Sequence, residues 1–453
     1  MNKLLEEAEK IVWGPGMLTL LLGTGMYLML RLHFLPLRRL LFAFRCAFCG
    51  DGRDNKTEGI SPYASLMTEL AATIGTGNIV GVTTAMALGG PGAVFWMVTA
   101  SLLGMAVKLV ESLLSVKYRT TNSLGEPVGG PMYTLRGCAL HRGVGGMLGK
   151  AFALFAVLAS FGMGNMTQSN SIAESLLVSF GISNEKTGLA VTILTILVVL
   201  GGIGVISKVT QVVVPFMGIF YLIGCLAVIG VHLDRIPETL TAMTVGAFVP
   251  QAVTGGLFGS VTAHMTDAIR FGVSRGVFSN EAGLGAAGIS AAATGTKEYV
   301  KQGYISMTGV FLDTCVICFV TALALGCSGV MAFPGAADMG TGLTVKAFES
   351  VLGKWGGSFV SVCIVLFAFA TIVGWAYQGE RAFEFLFGVR SRTLYRFLYG
   401  FTAYAGAVCS LKAVWSFADI CNALMAVPNL ICVLYLSGEA CRDLLAYDRR
   451  NFR

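Results

Sequence analysis

The sequence predicts an all-α polytopic membrane protein of about eleven spans, built as one leading helix followed by two inverted halves of five. Three observations carry this expectation. Of 453 residues, 55% are hydrophobic and only 13% charged, whereas soluble domains carry charge on about a quarter of their residues. Apolar stretches near 12–30, 62–88, 93–116, 147–178, 187–205, 209–231, 256–275, 304–327, 358–378, 395–411 and 417–437 each approach the ~20 residues that cross a bilayer. Setting the first aside leaves two sets of five, and because five is odd the second set enters the membrane from the opposite side. Each set opens on a glycine-interrupted stretch, with Gly75 and Gly77 in the first and Gly255, Gly256, Gly259 and Gly272 in the second. Matched interruptions of this kind point to the binding site of a secondary transporter. The expected organisation is one domain over residues 1–453, with an extra helix at 12–30, a first repeat at 62–231 and an inverted repeat at 254–437.

The first stretch is too long for a signal-peptide core and lacks a convincing cleavage site, so it reads as a retained span. Basic residues set the orientation. Arg31, Arg38, Arg39, Arg45, Arg53 and Lys56 follow the first span, and Arg442, Arg449, Arg450 and Arg453 follow the last. The positive-inside rule then puts the N-terminus outside and the C-terminus in the cytoplasm of a multi-pass inner-membrane protein. Net charge +7 is accounted for by these loops and anionic lipid headgroups, without a nucleic-acid partner. No obligatory protein partner is evident. Most of the twelve cysteines fall inside spans, where cysteine acts as a small apolar residue. Cys46 and Cys49 lie in an inner loop at zinc-ligand spacing but lack a second ligand pair.

The interruption Ala71-Ala-Thr-Ile-Gly-Thr-Gly-Asn78 is the most informative stretch. Backbone stripped of helical hydrogen bonds persists at membrane depth only where it lines a cavity or binds something. Where the helix resumes, the N–H groups of Thr76, Gly77 and Asn78 suit an anion such as a carboxylate. The carbonyls from Ala71 to Ile74 face the other way and suit a dehydrated cation such as sodium. A packing groove of small residues is the competing account. The second interruption is expected at Ala268-Ile-Arg-Phe-Gly272, running into Arg275-Gly-Val-Phe-Ser-Asn-Glu-Ala-Gly-Leu-Gly285. This glycine-rich, polar stretch suggests a second unwound element followed by a short inner helix, and there Glu281 and Arg275 either pair to close an inner gate or sit at the headgroups.

Other intramembrane polar residues are candidates by default. Asn165 and Gln168 share a helical face; Gln168 either accepts from a ligand ammonium or makes an interhelical amide bond. Asp313 and Asp419 lie within spans. Lys108 and Glu111, three apart, read as a buried pair. Glu69 precedes the first interruption by a turn and a half, either as a titrating carboxyl or as an interfacial residue. Thr371 and Trp375, four apart, share a face that offers a hydroxyl to a cation and a ring to a small apolar group.

These motifs resemble the alanine or glycine:cation symporters of the amino acid, polyamine and organocation superfamily. The resemblance runs from Trp13-Gly-Pro15 to Pro428-Asn-Leu430. It includes Ala-Thr-Ile-Gly-Thr-Gly-Asn78, Gly-Gly-Pro-Gly-Ala-Val-Phe-Trp96, Gly-Gly-Pro-Met-Tyr133, Arg-Gly-Val-Phe-Ser-Asn-Glu-Ala-Gly-Leu-Gly285 and Phe-Leu-Asp-Thr314. It implies a leucine-transporter-like fold and symport of L-alanine, glycine or both with sodium, or in some members protons. It further implies that Thr76 and Gly77 meet the carboxylate, with Asn78 nearby. Gln168, Ile269, Gly272 and Trp375 would surround the ammonium and side chain, and Ala71, Ile74 and Thr371 would hold sodium. The chain departs from the family pattern at Ala370, where a serine is usual, at Glu69, where a small residue is common, and at Gln378, where a second tyrosine is usual. The stretch after Gly285 lacks the customary proline and histidine. A proton-coupled carrier of another small neutral amino acid is the alternative, and a channel is the alternative of another class. An enzyme is not expected, because the four histidines form no ligand-spaced pair.

Overall fold

The structure, a computed structural model, describes residues 7, 11–49, 59–138, 142–248, 251–254, 261–332, 341–409 and 411–452. Gly255, Gly256, Gly259, Arg53 and Lys56 lie outside the described residues. The protein is a helical bundle. Among the described residues, six helices are long and apolar enough to cross a membrane: α5 (Gly92–Lys117), α7 with α8 (Arg142–Phe161, Thr167–Phe180), α10 (Gly202–Val231), α14 with α15 (Tyr299–Val310, Phe319–Ser328), α17 (Trp355–Phe387) and α19 (Leu411–Asn451). Three further helices, α1 (Pro15–Arg31), α9 (Asn184–Leu200) and α18 (Arg392–Val408), have 17 residues each, about 26 Å of rise. Val212, Phe216, Ile219, Ile223 and Leu226 of α10 are all exposed. At helical spacing they form an apolar stripe suited to contact with lipid.

Two helices are broken. The first is α3 (Pro62–Thr73), then a single turn at Thr76–Asn78, then α4 (Val80–Gly89). Ser61 caps α3, its hydroxyl accepting from the Ala64 N–H at 3.1 Å, and Pro62 occupies the first helical position, where its missing N–H costs nothing. The second is α12 (Met265–Asn280) followed by α13 (Ala286–Ala292). This corrects the sequence expectation, because α12 runs unbroken through Ala268–Gly272 and is preceded by the hairpin β3 (Gln251–Thr254) and β4 (Val261–His264) rather than by more helix. The helix ends at Glu281, whose φ is +56°, and Gly283 and Gly285 continue in the left-handed region. A Cβ on Gly272 would sit 2.3 Å from the Ala93 carbonyl oxygen; this glycine brings α12 against α5, as small residues do between membrane helices.

The remaining described elements are connections. They include α2 (Leu40–Phe48), the two-residue strands β1 (Thr120–Thr121) and β2 (Pro127–Val128), α6 (Pro131–Gly137), α11 (Ile236–Val245) and α16 (Thr341–Leu352). Widened π turns interrupt two helices, at Gly162–Met166 between α7 and α8 and at Phe311–Cys318 between α14 and α15. Such turns are frequent at functional sites. The second carries Asp313, which reaches both broken segments; the first immediately precedes Gln168, which meets Thr76.

Candidate functional site

At the first break the chain exchanges helical hydrogen bonds for side-chain ones. The Gly75 N–H, which would otherwise meet the Ala71 carbonyl, donates to Asn78 Oδ1 at 2.8 Å, and the Asn78 N–H returns to the Gly75 carbonyl at 3.2 Å. The Ala71 carbonyl is thereby freed. The Gly77 N–H has no hydrogen-bond partner among the described residues, and the Thr76 N–H reaches Gln168 Oε1 only at 3.4 Å. Thr76 and Gln168 are also joined by the Thr76 hydroxyl, which donates to the same oxygen at 3.1 Å. All of these side chains are buried.

α17 lies across the break because Gly374 lets it; a Cβ there would fall 2.6 Å from the Ala72 nitrogen. Thr371 consequently reaches the Ile74 carbonyl with its hydroxyl at 3.4 Å while also donating to its own helix at Phe367 O, 3.1 Å away. Gly75 has no room for a side chain, since a Cβ would lie 2.5 Å from Thr371 Oγ1 and 3.4 Å from Gln168 Oε1. The Thr371 hydroxyl and the Ile74 carbonyl thus meet at the break, and with the freed Ala71 carbonyl they offer neutral oxygens, the donor chemistry that hard cations take. One turn further along α17, Trp375 is fully buried beside Gly164, where a Cβ would be 2.4 Å from the Trp375 Cβ.

Asn78 does not point at this group. Its Nδ2 donates to Asp313 Oδ1 at 2.7 Å, and Asp313 Oδ2 accepts from the hydroxyls of Ser279 and Thr314, each at 2.8 Å. One carboxyl therefore ties together the first break, the end of α12 and the π turn after α14. At the second break Trp375 Nε1 donates to Glu281 Oε1 at 2.7 Å. Lys108 Nζ donates to the Asn280 carbonyl at 3.2 Å and lies 4.0 Å from Glu111, placing a cation at the helix C-terminus, where the dipole favours it. Asn429 bridges Glu111 Oε2 and the Gly283 carbonyl, both at 2.9 Å.

The structure thus brings Thr76, Gly77, Gln168 and Thr371 together around Gly75, with Trp375 a turn away on the face of α17 that carries Thr371. It does not bring Ile269 and Gly272 to them. Gly272 lies eight residues before the end of α12, about 12 Å along the axis, and faces α5; Ile269 is partly buried one turn further back. Arg275 pairs with Asp419 at 3.1 Å rather than with Glu281. Asn165 makes the interhelical bond, donating to the Tyr399 carbonyl at 2.6 Å. Cys46 is buried and Cys49 exposed, and no metal-holding cluster occurs among the described residues.

One end of the bundle carries a charged network. Arg381 bridges Glu126 at 2.8 Å and Glu384 at 2.7 Å, Arg392 bridges Glu126 at 2.8 Å and Glu380 at 2.7 Å, and Arg396 holds Glu380 at 2.6 Å. Next to it an open cavity of about 350 Å³ is lined by Ile60, Glu126, Ala293, Tyr377 and Arg381 among others. Burial alone would raise the Glu126 carboxyl, but Arg381, Arg392 and the Asn122 amide hold it down at about 2. Its folded value lies below the unfolded one, so its contribution is complete above the usual carboxylate range and is lost as pH falls towards 2. Arg381→Ala is expected to cost about 3–5 kcal/mol, the penalty of stranding a buried partner such as Glu384, read as a lower unfolding temperature of the purified protein. Arg381→Lys should recover part of it.

The sodium:alanine symporter family model matches residues 1–452. The chain belongs to the sodium:alanine symporter family. Members of this family are transporters and not enzymes. The sodium/alanine symporter AgcS of Methanococcus maripaludis is 45% identical to this family member over 99% of this chain and 98% of its own. The probable sodium/glutamine symporter GlnT of Bacillus subtilis is 33% identical over 100% and 92%. Among solved structures, MhsT in complex with L-phenylalanine superimposes with a TM-score of 0.60 at 14% identity, covering 84% of this chain and 90% of that one. The family member therefore shares the leucine-transporter-like fold. Sequence reasoning missed the Glu126–Arg381 network and the joining role of Asp313 with Ser279. The available signal was the acidic and basic run between Glu380 and Arg396, which a count of apolar residues treats as a loop.

Proposed function

We propose that this protein is a secondary active symporter that imports a small neutral amino acid, L-alanine or glycine, coupled to sodium by alternating access. The observation that carries the proposal is the first break, where the unpartnered Gly77 N–H and the long-bonded Thr76 N–H lie on one side of Gly75 and the freed Ala71 carbonyl and the Ile74 carbonyl, met by Thr371, on the other. In this reading the substrate carboxylate meets the N–H groups, Gln168 accepts from the ammonium, and Trp375 covers the side chain. Sodium sits among Ala71 O, Ile74 O and Thr371 Oγ1. Cation and amino acid then share one backbone segment, so each favours the state the other binds, which is what coupling requires. The name of the relative AgcS supports alanine and sodium; the name of GlnT leaves room in the family for larger side chains.

The basic loops argue for a cytoplasmic-membrane protein with its N-terminus outside, its C-terminus inside, and eleven spans comprising one leading helix and two inverted sets of five. The Glu126–Arg381 network would then close the cytoplasmic end. A sodium ion moving down ~100 mV yields about 2.3 kcal/mol and a tenfold gradient adds ~1.4, enough for several-hundred-fold accumulation.

The test is uptake of labelled alanine and glycine into proteoliposomes under a sodium gradient, with choline replacing sodium as control. Gln168→Ala frees the Thr76 N–H and hydroxyl and removes the ammonium acceptor; at least a tenfold loss of uptake is expected, since a charged hydrogen bond is worth about 1.5–3 kcal/mol. Uptake unchanged by Gln168→Ala and by Gly77→Val would refute the site. Counterflow separates the proposal from a channel, which shows none.

A further inference from the structure

Glu281 opens the second break, but its side chain is not what holds that corner. Other groups fix the turn. Asn280 Oδ1 accepts from the Ala282 N–H at 2.9 Å, Asn280 Nδ2 donates to the Thr314 hydroxyl at 3.0 Å, and Lys108 and Asn429 donate to the Asn280 and Gly283 carbonyls. Yet a long side chain stands at φ +56°, backbone that a residue other than glycine rarely adopts. The carboxyl is fully buried and makes no ion pair among the described residues, and its Oε2 has no hydrogen-bond partner there. Residues held at such cost gather at functional sites. What the side chain does make is one short bond, Oε1 accepting from Trp375 Nε1 at 2.7 Å.

Trp375 depends on that bond for its orientation. Its Cβ and Cγ pack on Gly164, where an added Cβ would fall 2.4 and 2.5 Å away. The Tyr399 hydroxyl ties the two elements, lying 3.2 Å from the Gly164 carbonyl and 2.8 Å from the Ile372 carbonyl. These contacts fix where the side chain leaves α17. They do not fix the plane of the ring, because the tryptophan torsion about Cβ–Cγ is broad. The indole N–H is the ring's single polar handle, and Glu281 is the acceptor that takes it. The π turn that carries Gly164 also carries Met163, whose carbonyl accepts from Gln168 Nε2 at 3.1 Å. Adjacent residues of one turn therefore seat Gln168 and Trp375, while Glu281 sets the plane of the indole.

We infer that Glu281 is a positioning residue that determines substrate size: by holding the Trp375 indole in one plane, it restricts the site to amino acids with small side chains. The inference rests on the symport proposal, in which Trp375 covers the substrate side chain, but the contact itself does not. In ¹⁵N-labelled protein in nanodiscs, the indole N–H signal lost in Trp375→Phe belongs to Trp375. That signal should move upfield in Glu281→Ala and much less in Glu281→Gln, whose amide oxygen still accepts. A signal unmoved by Glu281→Ala overturns the inference. In proteoliposomes at saturating sodium, Glu281→Ala should raise the KM for alanine about tenfold, the worth of one hydrogen bond, with the maximal rate little changed. Glutamine and leucine should then compete with labelled alanine about tenfold better, relative to unlabelled alanine, than they do in wild type. Glu281→Gln should recover most of the selectivity. Trp375→Phe loses the N–H and keeps Glu281, so it relaxes selectivity in the same direction and serves if Glu281→Ala does not fold. The double variant should be no more relaxed than either single one. Wild-type selectivity in Glu281→Ala or in Trp375→Phe overturns the role, as does a fall in maximal rate alone, which a purely structural corner would give. A wild type that takes up no amino acid refutes the symport proposal instead, and the indole signal still decides the contact.

Discussion

Gly75→Ala should abolish sodium-dependent uptake while the protein still reaches the membrane. A Cβ at this position would meet Thr371 Oγ1 at 2.5 Å and Gln168 Oε1 at 3.4 Å, so the substitution drives Thr371 away from the Ile74 carbonyl and disturbs the Thr76–Gln168 contacts at once. The backbone itself tolerates alanine, because Gly75 has φ −136°, an extended conformation open to any residue. The effect is therefore steric and local. Thr371→Val isolates the cation half by removing one hydroxyl at nearly constant volume. It should weaken sodium about tenfold to a hundredfold, corresponding to 1.4–2.8 kcal/mol, and leave alanine binding at saturating sodium largely intact. Equilibrium sodium binding followed by isothermal calorimetry checks both variants. Unchanged sodium affinity in Gly75→Ala would contradict the placement of the cation.

Asp313→Ala is expected to have the largest effect on the architecture of the site. Asp313 accepts from Asn78 Nδ2, Ser279 Oγ and Thr314 Oγ1, and each stranded donor costs about 1–3 kcal/mol. Loss of the carboxyl leaves three. Relief from burying the carboxyl offsets part of this, so a net loss of about 3–6 kcal/mol is expected as a lower unfolding temperature, together with loss of uptake. Asp313→Asn keeps the shape but turns one acceptor into a donor facing two hydroxyls, and should lie between wild type and alanine. A stable, active Asp313→Ala would show that Asn78 needs no anchor to hold the break open.

The first break was legible because glycine, threonine and asparagine are conspicuous inside an apolar run, and only unwound backbone or a packing groove explains them there. The second was misplaced for a related reason. Gly272 is equally conspicuous, but it belongs to a line of small residues that includes Gly276, whose Cβ would meet Met97, and that spacing brings helices together instead of opening them. The true break, from Glu281 to Gly285, lies at the end of the glycine-rich stretch into which the expected interruption ran, where Gly283 and Gly285 mark it; only the left-handed backbone of Glu281 has no compositional mark. The Lys108–Glu111 pair could be read from spacing along one helix. Asn78 lies 235 residues from Asp313, and Glu126 lies 255 from Arg381, and no local pattern links them.

The contacts of the two broken helices assign them different mechanical parts. α12 and α13 both lie along α5, the first through Gly272 and Gly276, the second through Gly288, where a Cβ would fall 2.2 Å from Ser115 Oγ. A rod lashed at both ends to a splint keeps its bend. The angle at Glu281–Gly285 is therefore a fixed corner. α3 rests chiefly on α2, α10, α13, α14 and α17, whereas α4 rests on α5, α12, α15, α16 and β4. The two halves of the first broken helix share none of these principal neighbours, so Gly75 joins two segments that are each held by their own set of helices.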